Sequence, residues 1–99
     1  MFQVVYHPDI PSDDIPSLNR DIRDRIRKAI ESRLMLAPQD YGKPLSRNLQ
    51  AYWSLRVGEY RVIYRIEPPL VKIIHIVHRR DAYDAGVLEA RRRGWLALF

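Results

Sequence analysis

A chain of 99 residues is sized for one hydrophobic core, and a single domain spanning residues 1–99 is expected. Its 46% apolar and 29% charged residues exclude a disordered tract and a membrane-embedded chain, and the lack of cysteine excludes disulfides and thiolate metal sites. The formal charge of +5 is unevenly placed: residues 43–80 hold eight basic and two acidic residues, a net of +6, whereas residues 1–42 come to −1 and residues 81–99 to zero. That middle segment is the candidate polyanion surface, unless it is only a solvated face that aids solubility.

The opening stretch MFQVVYHPD carries no basic leader, and its apolar run is too short for a signal sequence or a membrane span, so a cytoplasmic protein without membrane contact is expected. Phe2 to His7 is rich in β-branched and aromatic residues and stops at Pro8, the pattern of a short first strand. SDDIP then offers a helix start, with Asp13 or Asp14 as cap and Pro16 in the first turn. Leu18, Ile22, Ile26, Ala29, Ile30 and Leu34 recur at helical spacing, which predicts an amphipathic helix with a break near Leu18 and an end before Pro38. The intervening charges, among them Arg20, Asp21, Asp24, Arg27 and Lys28, read most simply as its solvated face. Pro38, Gly42 and Pro44 leave no room for regular structure in APQDYGKPL. Three short strands follow, Tyr52 to Val57, Tyr60 to Ile66 and Val71 to His78, separated by Gly58-Glu59 and by Pro68-Pro69. Asp81 can cap a last helix to about Arg93, with Tyr83, Val87, Leu88 and Ala90 inward and Gly94 at its end. The order β, α, β, β, β, α predicts an α+β fold: a small, antiparallel-rich four-stranded sheet with the N-terminal helices on one face and a C-terminal helix.

Joining Val57 to Tyr60 across Gly58-Glu59 sets Arg56 directly opposite Arg61. Trp53, Leu55, Val57, Tyr60, Val62 and Tyr64 then share the other face, for the first helix to cover. The same exercise through Pro68-Pro69 brings Ile76 across from Arg61 with His78 just beyond, so Arg56, Arg61 and His78 are expected to converge. Like charges directly opposite on a sheet are destabilising by roughly 0.2 to 1 kcal/mol. Glu59, Glu67 or open water could offset that cost. Alternatively, the two guanidiniums hold phosphate oxygens through paired hydrogen bonds, joined by Arg79 or Arg80.

HRRDAY, His78 to Tyr83, supplies groups suited to proton transfer beside a phosphate. Histidine titrates near neutrality, and neighbouring cations can lower a tyrosine enough to make it a base. The blander alternatives are a packing role for Tyr83 and a strand-end surface role for His78. His75 falls on the other face from His78 and reads as a satisfied core histidine; His7, before Pro8, carries little signal. Scattered histidines without carboxylate spacing give no metal site, and no cofactor is expected. Without cysteine, GxSxG or SxxK, acyl transfer has no nucleophile, and without a Walker loop or GxGxxG neither nucleotide hydrolysis nor dinucleotide binding is indicated.

The run YGKPLSRNLQAYWSLRVGEYRVIYRI, followed by a strand and HRRDAY, resembles the RelE/ParE toxin superfamily of bacterial type II toxin-antitoxin systems, the RelE branch most closely. LRVGEYRVIY and HRRDAY are its most specific parts, while the first helices match only in pattern. The resemblance implies a microbial-ribonuclease-like fold and a metal-independent endoribonuclease that cuts messenger RNA in the ribosomal A site. It also implies a cognate antitoxin protein, held in a toxin-antitoxin hetero-oligomer. Residue by residue, Arg61 matches the arginine that stabilises charge on the scissile phosphate, and Arg79 the one that stabilises the transition state or protonates the leaving oxygen. Tyr83 matches a tyrosine near the attacked nucleotide, and His78 stands where some relatives have histidine and others lysine. Arg56 extends the cationic floor, with Lys43, Arg47, Arg65 and Arg80 as further phosphate-binding candidates. Tyr52 and Ser54 stand where the best-studied members carry lysines, which leaves the general base between Tyr83 and His78.

In such chemistry an RNA 2′-hydroxyl attacks the adjacent phosphate, cations offset the charge on the transition state, and an acid protonates the 5′-oxygen. Two other readings share the fold: a ParE-like inhibitor of DNA gyrase that cuts no RNA, and a non-catalytic domain whose basic groove takes an acidic antitoxin segment. The C-terminal GWLALF either joins such an antitoxin surface or closes the core.

Overall fold

The computed structural model of the chain describes residues 1–45, 51–81 and 84–98. In chain order the regular elements are β1 (Gln3–Tyr6), α1 (Arg20–Ala29), α2 (Pro38–Tyr41), β2 (Lys43–Pro44), β3 (Trp53–Val57), β4 (Tyr60–Glu67), β5 (Leu70–His78) and α3 (Ala85–Leu98). They build one five-stranded sheet in the order β1-β5-β4-β3-β2. The sheet has one strand more than the expected four, because Lys43 and Pro44 pair antiparallel with Ser54 and Trp53. With α2, this pairing gives regular structure to a segment whose breakers predict none; Pro38 sits in the first turn of a helix, where its missing N–H costs nothing.

The strands form where period-two alternation predicts them. β3 and β4 pair in the expected register, Trp53 with Tyr64 through Val57 with Tyr60, around a turn in which Gly58 takes a positive φ of 59° that favours glycine. β1 joins at the far edge, parallel to β5, with Val4 opposite Val71. The face bearing Leu55, Val57, Val62, Tyr64, Val71, Ile73 and Ile76 is covered by Leu18, Ile26, Ala29, Ile30 and Leu34 of the helical layer. A second, smaller core on the opposite face joins Tyr52, Ile63 and Ile74 to Leu88 and Trp95 of α3.

The helical layer starts later than SDDIP suggested. Ile10–Asp14 and Ile15–Ser17 form short separate helical turns, Leu18 is extended, and Asn19, not Asp13 or Asp14, caps α1 by accepting the Ile22 N–H at 2.9 Å. α1 then runs on through one wider turn, Ile30–Leu34. Asp14 is instead buried. It accepts the Ile76 N–H at 2.9 Å and two hydrogen bonds from the Arg91 guanidinium, both at 2.8 Å, and so ties the N-terminal turns to β5 and α3.

α3 also departs from expectation. Asp84, not Asp81, caps it, accepting the Gly86 and Val87 N–H groups, and the helix continues through Gly94 to Leu98. Leu88, Arg91 and Trp95 face inward, three and four residues apart, whereas Val87 and Ala90 are exposed. Trp95 thereby closes the second core, which settles that much of GWLALF as a packing element. His7 carries more than its sequence position suggested: its Nδ1 accepts the Asp9 N–H at 3.0 Å, and Nε2 donates to the Arg91 carbonyl at 2.9 Å. Its ring meets Trp95 edge-on at 5.3 Å. Among the described residues no helix is long and apolar enough to cross a membrane.

Candidate functional site: a cationic end of the sheet

The expected opposition is present: Arg56 pairs directly with Arg61, and both point away from the helical layer by strand alternation. Neither forms an ion pair among the described residues. Arg61 turns its Nη1 onto its own hairpin turn, donating to the carbonyls of Tyr60 at 3.0 Å and Gly58 at 3.3 Å. Those bonds fix the guanidinium beside the turn and leave its other N–H groups without a protein acceptor among the described residues. The two acidic residues of the segment are occupied elsewhere. Glu67 holds Arg65 and Lys72, each at 3.2 Å, and Glu59 holds Arg79 Nε at 2.6 Å.

Arg79 reaches this end of the sheet because the β4–β5 ladder continues past its last paired residues. Its N–H donates to the Glu59 carbonyl at 2.8 Å, so backbone and side chain both link it to the hairpin turn. Arg56, Arg61 and Arg79 therefore gather around Gly58-Glu59. Arg80, in the 3-10 turn Arg79–Asp81, is exposed beside them.

His78 does not join them. Near the cis Pro68-Pro69 turn the strands pair as expected, Glu67 with Leu70 through Tyr64 with Ile73. A bulge then intervenes, and Ile63 pairs with His75, Arg61 with Val77 and Tyr60 with His78. One extra residue, Ile74, moves every later side chain of β5 to the other face. His78 thus lies on the helical side, packed edge-on against Tyr60 at 5.3 Å, with Nδ1 accepting the Arg80 N–H at 3.2 Å. Val77, not Ile76, stands across from Arg61.

The other candidates divide. Lys43 pairs with Ser54 and is exposed at the outer strand of the sheet. Arg65 lies four residues along β4 from Arg61, about 13 Å at the usual rise per residue, with its guanidinium 5.6 Å over the Tyr52 ring. Together with Glu67, Lys72 and Trp95 it forms a separate cluster at the opposite end of the strand, in which one carboxylate serves two cations. Arg47 and Tyr83 lie outside the described residues.

Tyr52 and Ser54 are both buried. Burial pushes the Tyr52 hydroxyl up, against the lowering pull of Arg65, so Tyr52 is not poised to accept a proton. His75, on the α3 side of the sheet, has its pKa lowered from 6.5 chiefly by burial, although Asp14, 3.8 Å away, pulls the other way. It is half-buried beside Asp14 and belongs to neither hydrophobic core.

A small α+β fold with arginines bunched at one end of a mixed, mainly antiparallel sheet defines a class that comparison with known proteins identifies. The family described as the ParE toxin of the type II toxin-antitoxin system parDE matches residues 9–83. Toxin RelG of Mycobacterium tuberculosis (strain ATCC 25618 / H37Rv) is 46% identical over 48 residues, which cover 46% of this chain and 55% of that protein. Toxin RelE of the same strain is 42% identical over 52 residues, 50% of this chain and 54% of its own length. The matched stretch thus spans about half the length of these curated relatives. The RelBE2 toxin-antitoxin complex from Mycobacterium tuberculosis superposes with a TM-score of 0.72 at 30% identity, covering 79% of this chain and 98% of that one. The RelB-RelE antitoxin-toxin complex from Methanococcus jannaschii, at 19% identity and a TM-score of 0.63, covers 82% of this chain and 96% of that one and shares the fold. The chain belongs to the ParE toxin family of the RelE/ParE superfamily.

Proposed function

We propose that this chain is the toxin of a type II toxin-antitoxin pair and that it cuts messenger RNA, held by the ribosome, through attack of a 2′-hydroxyl on the adjacent phosphate. The observation that carries this reading is the Arg56–Arg61 opposition. The fold sets two like charges together, and no carboxylate among the described residues neutralises either. A phosphate between them would convert that unfavourable pair into a charge-assisted one. Arg61 would stabilise the transition state, Arg79 would reach the leaving-group side once it parts from Glu59, and Arg56 and Arg80 would hold flanking phosphates. With His78 turned to the helical side and Tyr52 pushed up by burial, Tyr83 is the group to which the general-base role falls. A cognate antitoxin is the expected partner, since the solved relatives named above are toxin-antitoxin complexes.

The test is to map messenger RNA 5′ ends, with and without translating ribosomes, after inducing the wild type and Arg61→Ala in matched cells. Cuts that need ribosomes and fall by roughly a hundredfold or more in the variant are expected, the usual scale for removing one stabilising donor. A second reading is favoured by the matching family's own description, which names parDE. Arrest with uncut messenger RNA and accumulated DNA breaks would replace the ribonuclease by a gyrase inhibitor on the same fold.

A further inference from the structure

We propose that the groove between α1 and the β3–β4 turn is a second phosphate-binding site, one that carries the RNA backbone around the edge of β3 onto the first helix. The proposal rests on reading the chain as an RNA-cleaving toxin, and it names where the strand goes beyond the cut. The groove is an open depression of about 480 Å³, lined by Arg25, Lys28, Ser32 and Arg33 of the helical layer and by Arg56 and Gly58 of the hairpin. Arg25, Lys28 and Arg33 are cations of the helical layer; Arg56, whose side chain leaves toward the other face, borders the groove at the β3 edge, and no carboxylate lines it among the described residues. None of the four forms an ion pair among the described residues; Asp24, which could have bridged to Lys28 one turn on, is instead 3.6 Å from Arg27.

The fold explains the segregation. Arg25, Lys28 and Ser32 follow one another three and four residues apart, a stripe along α1 beside its buried face. β2 pairs with β3 only at Trp53 and Ser54, so the β3 edge near Arg56 has no partner strand among the described residues. The Arg25 guanidinium lies against the hairpin turn, where a Cβ at Gly58 would stand in ordinary contact with it, 3.4 Å from Nη2. It is open to solvent, and its lining is cationic and hydroxylic, which suits a chain of phosphates and not an apolar ligand. Arg56 belongs both to this groove and to the pair with Arg61, so a single strand could pass from one site to the other without leaving positive potential.

The experiment uses the full chain and a short 2′-O-methyl RNA of mixed sequence, which lacks the attacking hydroxyl, with affinity read by fluorescence anisotropy across a range of salt. Arg25→Gln/Lys28→Gln/Arg33→Gln should weaken binding at low salt roughly tenfold and reduce the slope of log affinity against log salt by about 2, near 0.7 per lost phosphate contact on a single strand. The charge-matched variant Arg20→Gln/Arg27→Gln/Arg93→Gln, which leaves the groove intact, should change that slope by less than half as much. If the triple variant does not fold, Lys28→Gln alone should reduce the slope by about 0.7. Equal losses in both charge-matched variants would reduce the effect to net charge and overturn the proposal. Unchanged binding by the groove variant, with wild-type RNA cleavage observed, would overturn the groove and leave the ribonuclease standing. A wild type that neither binds nor cuts RNA would overturn both. Unchanged RNA binding with lost binding of a poly-glutamate peptide would assign the groove to an acidic protein segment instead.

Discussion

Two arginine-carboxylate pairs of nearly equal length sit in opposite settings in this fold. Asp14 and Arg91, 2.8 Å apart, are buried, with 5% and 10% of their side chains exposed; Glu59 and Arg79, 2.6 Å apart, are about 60% exposed. Asp14 has its oxygens filled by two guanidinium bonds and the Ile76 N–H, and Arg91 also donates to the Ile74 carbonyl at 3.1 Å. Removing either member would strand a charge in the core. Glu59 and Arg79 can part into water at little cost, so the same chemistry that fastens one end of the molecule leaves the other end available to a ligand. Burial, and not distance, separates the structural pair from the exchangeable one.

The sharpest way to break the contrast is Asp14→Ala. It should destabilise the protein by about 3–5 kcal/mol in urea unfolding, because Arg91 would remain buried without its partner; a loss below 1 kcal/mol would place the two pairs in one class. Acidification tests the same cluster more gently. The pKa of His75 lies below its ordinary 6.5 in the folded protein, chiefly through burial, so the unfolded chain binds its proton first. Stability should therefore be full above that value and decline as pH falls through it, and His75→Gln should flatten that decline; Asp14, Arg91, Asp84 and Asp81 are the charges that modulate it. Glu59→Gln should give the smallest change in stability, under about 1 kcal/mol. Its readout is activity. Releasing Arg79 should raise RNA cleavage, by up to about fivefold if the pair is worth 1 kcal/mol, and a fall in cleavage would show that Glu59 positions Arg79 instead of competing for it.

What the sequence disclosed and what it withheld follow physical lines. The β3–β4 hairpin was legible because alternation and a two-residue turn are local, and together they placed Arg56 against Arg61. The bulge was not, since Ile74 is one more β-branched residue in a run of them and nothing marks it as the unpaired one; that single uncertainty sent His78 to the wrong face. Asp14 looked like a helix cap because its partner lies 77 residues away, and a cap motif is visible where a distant guanidinium is not. Gly94 looked like a stop because glycine is costly in a helix, yet packing of Trp95 carries α3 through it. The charges of α1 looked merely solvated because a helical wheel shows a stripe but not the hairpin that faces it.

The placement of β1 has a consequence for how the protein is made. Its hydrogen-bonded neighbour is β5, the last strand to be synthesised, so Gln3–Tyr6 must wait until Leu70–Ile73 has left the ribosome before it can join the sheet. The β3–β4 hairpin can assemble from local contacts in the meantime, but Asp14 stays a solvated carboxylate until Arg91 emerges. The nascent chain thus acquires its arginine-bearing hairpin before it acquires its clamp, so the cationic end of the sheet is formed before the fold is locked.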